Sequence, residues 1–109
     1  MLFRSHTPLL GRELFRSQAT ACVQCHPPPL FTNLQAYDVG TRGPRDAATD
    51  VFDTPTLIEV WRTAPYLHDG SVATLRDLLT LANPNGRHGK TSHLSADQIR
   101  DLCEYLLSL

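Results

Sequence analysis

The chain is short of lysine and methionine: among its 109 residues, Lys90 is the only lysine and Met1 the only methionine. Nine of the ten basic residues are arginine, and they balance 11 acidic ones. No basic cluster is available to neutralise phosphates, so neither nucleic acid nor an acidic membrane surface is implied as a partner. A lysine-rich face for steering an acidic redox partner is also missing. No apolar run approaches the ~20 residues of a transmembrane helix, and direct membrane insertion is not expected. Met1 to Gly11 lacks a basic segment followed by an apolar one, so no secretory signal is visible. There is no internal repeat, and Pro27-Pro28-Pro29 is the only low-complexity segment. Nothing reads as a sheet.

The most informative stretch present is Cys22-Val23-Gln24-Cys25-His26, which has the form of a covalent haem attachment site. Two cysteine sulfurs add to the haem vinyl groups, and two intervening residues let one turn of backbone span them. The histidine after the second cysteine then lies under the ring and can bind iron. A zinc site would need about four ligands, and the remaining cysteine, Cys103, stands alone. A thioredoxin-like pair belongs after a strand in a βαβ pattern, which is absent here. A disulfide between Cys22 and Cys25 would leave His26 unexplained. One thioether-linked haem c per chain is the expectation, and it would fill much of the modest core of a single domain over residues 1–109. Thioether attachment is normally completed outside the cytoplasm. The missing signal is therefore read as that of a mature form, or of the C-terminal part of a longer exported protein. A periplasmic or otherwise extracytoplasmic location follows.

Turn and cap residues divide the chain. Thr7-Pro8 opens a helix whose stripe is Leu10, Leu14 and Phe15, with Gly11 leaving room for a close crossing. That helix is expected to run into the cysteine motif and to stop at the three prolines. Residues 32–53 read as an irregular loop. Thr54-Pro55 predicts a short helix over 56–62, ended by Ala64-Pro65. Thr74 with Asp77 starts another, with Leu75, Leu78, Leu79 and Ala82 at helical spacing, and Asn83-Pro84-Asn85-Gly86 terminates it. The last helix has Ser95 as N-cap, Gln98 completing a capping box, and Leu94 and Ile99 as a hydrophobic staple. Its apolar face holds Ile99, Leu102, Cys103 and Leu106. The fold class is all-α, four to five helices with long loops around one haem.

A helix leading into Cys-x-x-Cys-His, a long loop and an amphipathic last helix together resemble the class I cytochrome c fold. The resemblance implies that the first and last helices cross, with Gly11 and Phe15 meeting Tyr105 and Leu106. A narrower resemblance rests on Phe52-Asp53-Thr54-Pro55-Thr56-Leu57, Thr63-Ala64-Pro65-Tyr66-Leu67-His68-Asp69-Gly70-Ser71 and Ala73-Thr74-Leu75. Phe31-Thr32-Asn33 and Asp38-Val39-Gly40 fit it too. These runs look like the C-terminal, electron-transfer haem domain of the di-haem cytochrome c peroxidase family. The chain departs from that family in two ways. It has one attachment motif rather than two. It also has Leu79-Thr80-Leu81-Ala82-Asn83 where the family commonly supplies an iron-ligating methionine.

The sixth ligand is therefore sought among histidines. The loop 85–94 lies where cytochromes of this fold usually supply it. His88, between Gly86 and Gly89, is the first choice, and His93 is the alternative. His68, in the family-like run, is expected to bond nearby backbone or a haem propionate. His6 is read as a terminal histidine. Arg62 and Arg87 are the candidate propionate partners. Trp61 and Tyr66 are expected in the core, Cys103 as a buried thiol, and the Pro28 or Pro29 carbonyl as acceptor for the second ring nitrogen of His26. Ligation by two imidazoles would leave no open iron position and would suit one-electron transfer with redox partner proteins, or with other domains or haem subunits of a larger assembly. The rival expectation is a peroxidase-like or gas-binding domain with an open sixth position.

Overall fold

The structure, a computed structural model, describes residues 7–109, and the expectations for Met1 and His6 lie outside them. Helix α1 spans Thr7–Arg16, α2 Cys22–Cys25, α3 Leu75–Leu79 and α4 Ala96–Leu107, with a single 3-10 turn over Val60–Arg62. The fold depends first on the crossing of α1 and α4. Gly11 lies against the backbone of α4, and a Cβ there would stand 2.0 Å from the carbonyl oxygen of Asp101 and 2.7 Å from Cβ of Tyr105. Only glycine permits that approach. One turn on, Phe15 is 1% exposed and packs its ring 5.4 Å from Tyr105 and 5.9 Å from Phe31. The apolar face of α4 supplies Ile99, Leu102, Tyr105 and Leu106 to the same core, joined by Val60, Tyr66, Val72, Leu75 and Leu79. Burial of these side chains, each worth about 1.5–3 kcal/mol, is the main source of stability.

The caps of the last two helices form as their sequences predict. Ser95 Oγ accepts from the Gln98 amide at 3.1 Å, and Gln98 Oε1 accepts from the Ser95 amide at 2.8 Å. Thr74 Oγ1 accepts from the Asp77 amide at 3.1 Å.

Elsewhere the backbone differs from expectation. The first helix does not run into the cysteine motif: it ends at Arg16, and Ala21 takes a left-handed conformation (φ 63°) before α2 restarts. The helix expected over 56–62 is reduced to the 3-10 turn, because Glu59 is also left-handed (φ 60°) and Thr56 spends its hydroxyl on the Leu30 carbonyl at 2.5 Å. Helix α3 stops at Leu79 rather than Ala82, since Thr80 leaves helical geometry. The loop 32–53 also holds a short antiparallel pair, with Ala36 opposite Asp53 and Tyr37 opposite Phe52, where no sheet was expected. Tyr66 is buried and donates to the Val60 carbonyl at 3.1 Å. Trp61, expected in the core, is 53% exposed, since the 3-10 turn presents only Val60 inward. Cys103 is half-buried at the core edge, and burial raises its pKa.

The Gly11 contact gives a direct test. Gly11→Ala forces backbone against backbone, so the helices must separate, at a cost of roughly 1–3 kcal/mol. The melting temperature is expected to fall by roughly 5–20 °C in a domain of this size, measured by circular dichroism.

Candidate functional site

Helix α2 is a single turn, closed by the His26 amide donating to the Cys22 carbonyl at 3.1 Å. This puts Cys22 and Cys25 on neighbouring turn positions and His26 just beyond them. Cys22, Cys25 and Cys103 are free and half-buried. Burial raises the Cys22 thiol pKa, a shift opposed by hydrogen bonding with Thr20.

The turn after α2 orients His26. The Phe31 amide donates to the Pro27 carbonyl at 2.8 Å, which brings the Phe31 carbonyl oxygen to 2.9 Å from His26 Nδ1. A carbonyl only accepts, so Nδ1 carries the proton and Nε2 keeps its lone pair. The acceptor is thus Phe31 rather than Pro28 or Pro29, because the tight turn folds the chain back past the prolines. Burial lowers the His26 pKa, with hydrogen bonds to the Phe31 and Pro55 carbonyls opposing that shift. Pro55 reaches the site because Thr32 Oγ1 donates to the Thr54 carbonyl at 2.6 Å and ties the two segments together.

Across from this turn lies the loop carrying His88. Its anchor is Asn83, 5% exposed, which sequence reasoning took only as part of a helix stop. Asn83 Oδ1 accepts from the His88 amide at 3.0 Å, while Nδ2 donates to the carbonyls of His88 and Gly89 at 3.0 and 2.8 Å. Nδ2 also reaches Thr91 Oγ1 at 3.1 Å, and that hydroxyl donates to the Leu79 carbonyl at 2.6 Å. On the other side, the Lys90 amide donates to the Thr20 carbonyl at 2.8 Å. Thr20 is fully buried and donates its hydroxyl to the Leu14 carbonyl at 2.5 Å. Gly89 (φ +77°) sits so close that a Cβ would lie 3.4 Å from the Thr20 oxygen and 3.8 Å from Cys22 Sγ. Burial pushes the His88 pKa down to about 4, and the neighbouring His26, when protonated, adds to the shift.

The structure therefore brings Cys22, Cys25, His26 and His88 into one region. The other candidates have different company. His93 is exposed and lines a shallow cleft of about 450 Å³ with Lys90, Ser92 and Ala19. His68 Nε2 lies 2.8 Å from Asp46 Oδ2 and its ring stacks on Phe52 at 3.6 Å, so its ring is held by a carboxylate. Arg62 pairs with Glu59 at 3.0 Å on the surface. Arg87 pairs with Asp38, which also holds Arg42 at 2.9 Å. The Gly40 amide, ahead of these arginines, holds the Asp38 carboxyl below its ordinary pKa. Asn83, Thr91, Thr20 and Phe31 act through buried backbone contacts, and no residue pattern announces those in advance.

The donor set fits haem c: two free thiols one turn apart, and a histidine whose outer nitrogen is engaged while the inner one keeps its lone pair. The motif and the crossed helices define a c-type cytochrome domain, one that resembles the di-haem cytochrome c peroxidases. The family described as RoxA-like, cytochrome c-like, matches residues 51–88, a stretch that ends at His88. The chain is 44% identical over 59 residues to hydrazine synthase subunit gamma of Kuenenia stuttgartiensis, covering 53% of this chain and 17% of the relative. It is 28% identical over 116 residues to the cytochrome c551 peroxidase of Nitrosomonas europaea, covering 93% of this chain and 33% of the relative. The structure of Kuenenia stuttgartiensis hydrazine synthase pressurised with 20 bar xenon superposes with a TM-score of 0.85 at 27% identity, over 96% of this chain and 46% of that one. The chain thus spans a sixth to a third of these curated relatives, 17% and 33% of their lengths.

The donor set yields a clear expectation. After expression in a periplasm that matures c-type cytochromes, Cys22→Ala or Cys25→Ala protein releases haem, at least in part, on denaturation in acidified organic solvent. Complete retention in both variants would remove the attachment assignment.

Proposed function

We propose that this domain is a mono-haem electron-transfer module, in which Cys22 and Cys25 would hold the haem covalently and His26 and His88 would bind its iron. When bound, haem supplies an iron that cycles between ferric and ferrous states. The observation that carries the reading is the placement of His88: half-buried, on a loop pinned beside Cys22 by the close approach of Gly89 and by the bond from the Lys90 amide to the Thr20 carbonyl. Neutral imidazole is the ligating form, and burial maintains it. The Phe31 carbonyl orients His26 and raises its basicity. His93 is disfavoured by its exposure, and His68 by its pairing with Asp46. Two imidazoles favour a lower potential than histidine–methionine ligation.

The remaining roles follow from the same reading. Arg87, already bound to Asp38, and the surface residue Arg62 are secondary candidates for propionates; His68 is a third. The partners are redox proteins or the other haem domains of a larger assembly, which accords with the fraction of each relative that the chain spans. Maturation of haem c places the protein outside the cytoplasm. The similarity to the Nitrosomonas europaea peroxidase over 93% of this chain favours one second reading, a peroxide- or gas-reactive domain with an open sixth position. The spin state of the ferric protein separates the two: low-spin supports the carrier, and high-spin supports the reactive domain.

Two outcomes are expected. His88→Ala converts the ferric protein from low-spin to high-spin, seen by absorption and electron paramagnetic resonance, and opens the ferrous protein to carbon monoxide. An unchanged spectrum moves the ligand to His93 or His68. The second concerns acid. A proton and the iron compete for the same lone pair. The folded pKa of about 4 lies below the ordinary imidazole value of 6.5, so the unfolded chain binds the proton first. Stability linked to His88 is thus present at neutral pH and declines as pH falls from about 6.5 towards about 4. Iron binding lowers the apparent pKa of its ligand further, so the low-spin band is expected to persist to about pH 4 or below, and its loss near pH 6 would overturn ligation by a buried histidine.

A further inference from the structure

We propose that Asn83 is the positioning residue that holds His88 on the iron, so that the ligand loop is a rigid bracket rather than a gate. The proposal rests on the reading of His88 as the sixth ligand and concerns how that ligand is kept in place. One carboxamide grips the ligand residue by both its backbone groups, its N–H and its C=O, and takes the next carbonyl as well. The side chain is buried, so its bonds are not exchanged with water. Its orientation is set in turn by Thr91, also buried, whose hydroxyl accepts from Asn83 and donates to the end carbonyl of α3. The far side of the loop is fixed to Thr20, two residues before Cys22, through the Lys90 amide. A third tie comes from Arg87, which packs against Gly40 and pairs with Asp38.

His88 is therefore framed on both sides by bonds that do not involve its ring. An iron ligand can leave only if its backbone moves or its side chain rotates. With the backbone held at residue 88 itself, the first route requires several buried bonds to break together. An external ligand binds only the fraction of molecules in which His88 is off the iron, so its apparent affinity and rate report that fraction. Removing the carboxamide raises the fraction without touching any iron ligand.

The test uses the haem-loaded, reduced protein and follows carbon monoxide binding by absorption after rapid mixing. Asn83→Ala is expected to bind at least tenfold faster than the parent while its ferric form stays low-spin at neutral pH. Asn83→Asp, which keeps the acceptor for the His88 amide and loses both donors, is expected to behave like Asn83→Ala. Tyr66→Phe, which removes a buried hydrogen bond to the Val60 carbonyl and touches no part of the loop's hydrogen bonding, should stay within twofold of the parent, as loss of stability alone does not open the iron. Equal rates for Asn83→Ala and the parent, with His88→Ala fast, would overturn the positioning role. If His88→Ala is itself as slow as the parent, the ligand assignment fails and the proposal falls with it. Should Asn83→Ala not retain haem, Thr91→Val decides: a rate several-fold above the parent supports the bracket, and the parental rate overturns it.

Discussion

Two helices drawn from opposite ends of the chain touch backbone to backbone at Gly11, and the position of the haem motif follows from that contact. With α1 fixed across α4, the chain leaving α1 has one direction to take. Thr20 ends that exit segment with its hydroxyl bonded back to the Leu14 carbonyl and its own carbonyl turned to the Lys90 amide. The cysteine turn begins two residues later, so the crossing, the motif and the His88 loop form one continuous set of contacts. Phe15 and Phe31 extend it, since the residue that orients His26 by its carbonyl also packs its ring on the buried face of α1.

How legible this was depends on whether a feature is local. The capping box at Ser95, the amphipathic face of α4 and the Thr74 cap are encoded in neighbouring residues, and each has the form its sequence implies. The crossing was also readable, since a glycine on an otherwise apolar stripe has few uses. What escaped depends on partners distant in sequence. Thr56 was read as helical because a Thr-Pro cap precedes it, yet its hydroxyl is taken by Leu30. Phe31, not a proline, meets His26 because a tight turn intervenes. Asn83 looked like a helix stop, and its residue type is right for that. That it is buried and turned inward is set by the surrounding loop, and no local pattern carries that information.

The similarities add a frame for the proposed exchange of methionine for histidine. The matched stretch, residues 51–88, includes the His-Asp-Gly run and closes on the proposed ligand. Within it His68 is held by Asp46 and stacked on Phe52, so that part of the domain is braced by its own contacts. The exchange proposed for the distal residue is then confined to the loop after α3. The loop's brackets are bonds to its own backbone from the Asn83 carboxamide and the Thr20 carbonyl, which are indifferent to the side chain presented at position 88. A scaffold of this kind can exchange the chemistry at one position and keep the path of the chain.

The same brackets have a consequence for how the molecule is made. Gly11 meets Asp101, and Thr20 meets Lys90, pairs separated by most of the chain. Such long-range closures cost entropy before they return contact energy, and they slow folding. A newly made chain would therefore keep its ends apart, and its cysteine turn open, for longer than a chain built on local contacts. Covalent attachment of haem would draw on that interval, because both thiols can be reached before Gly89 closes over Cys22.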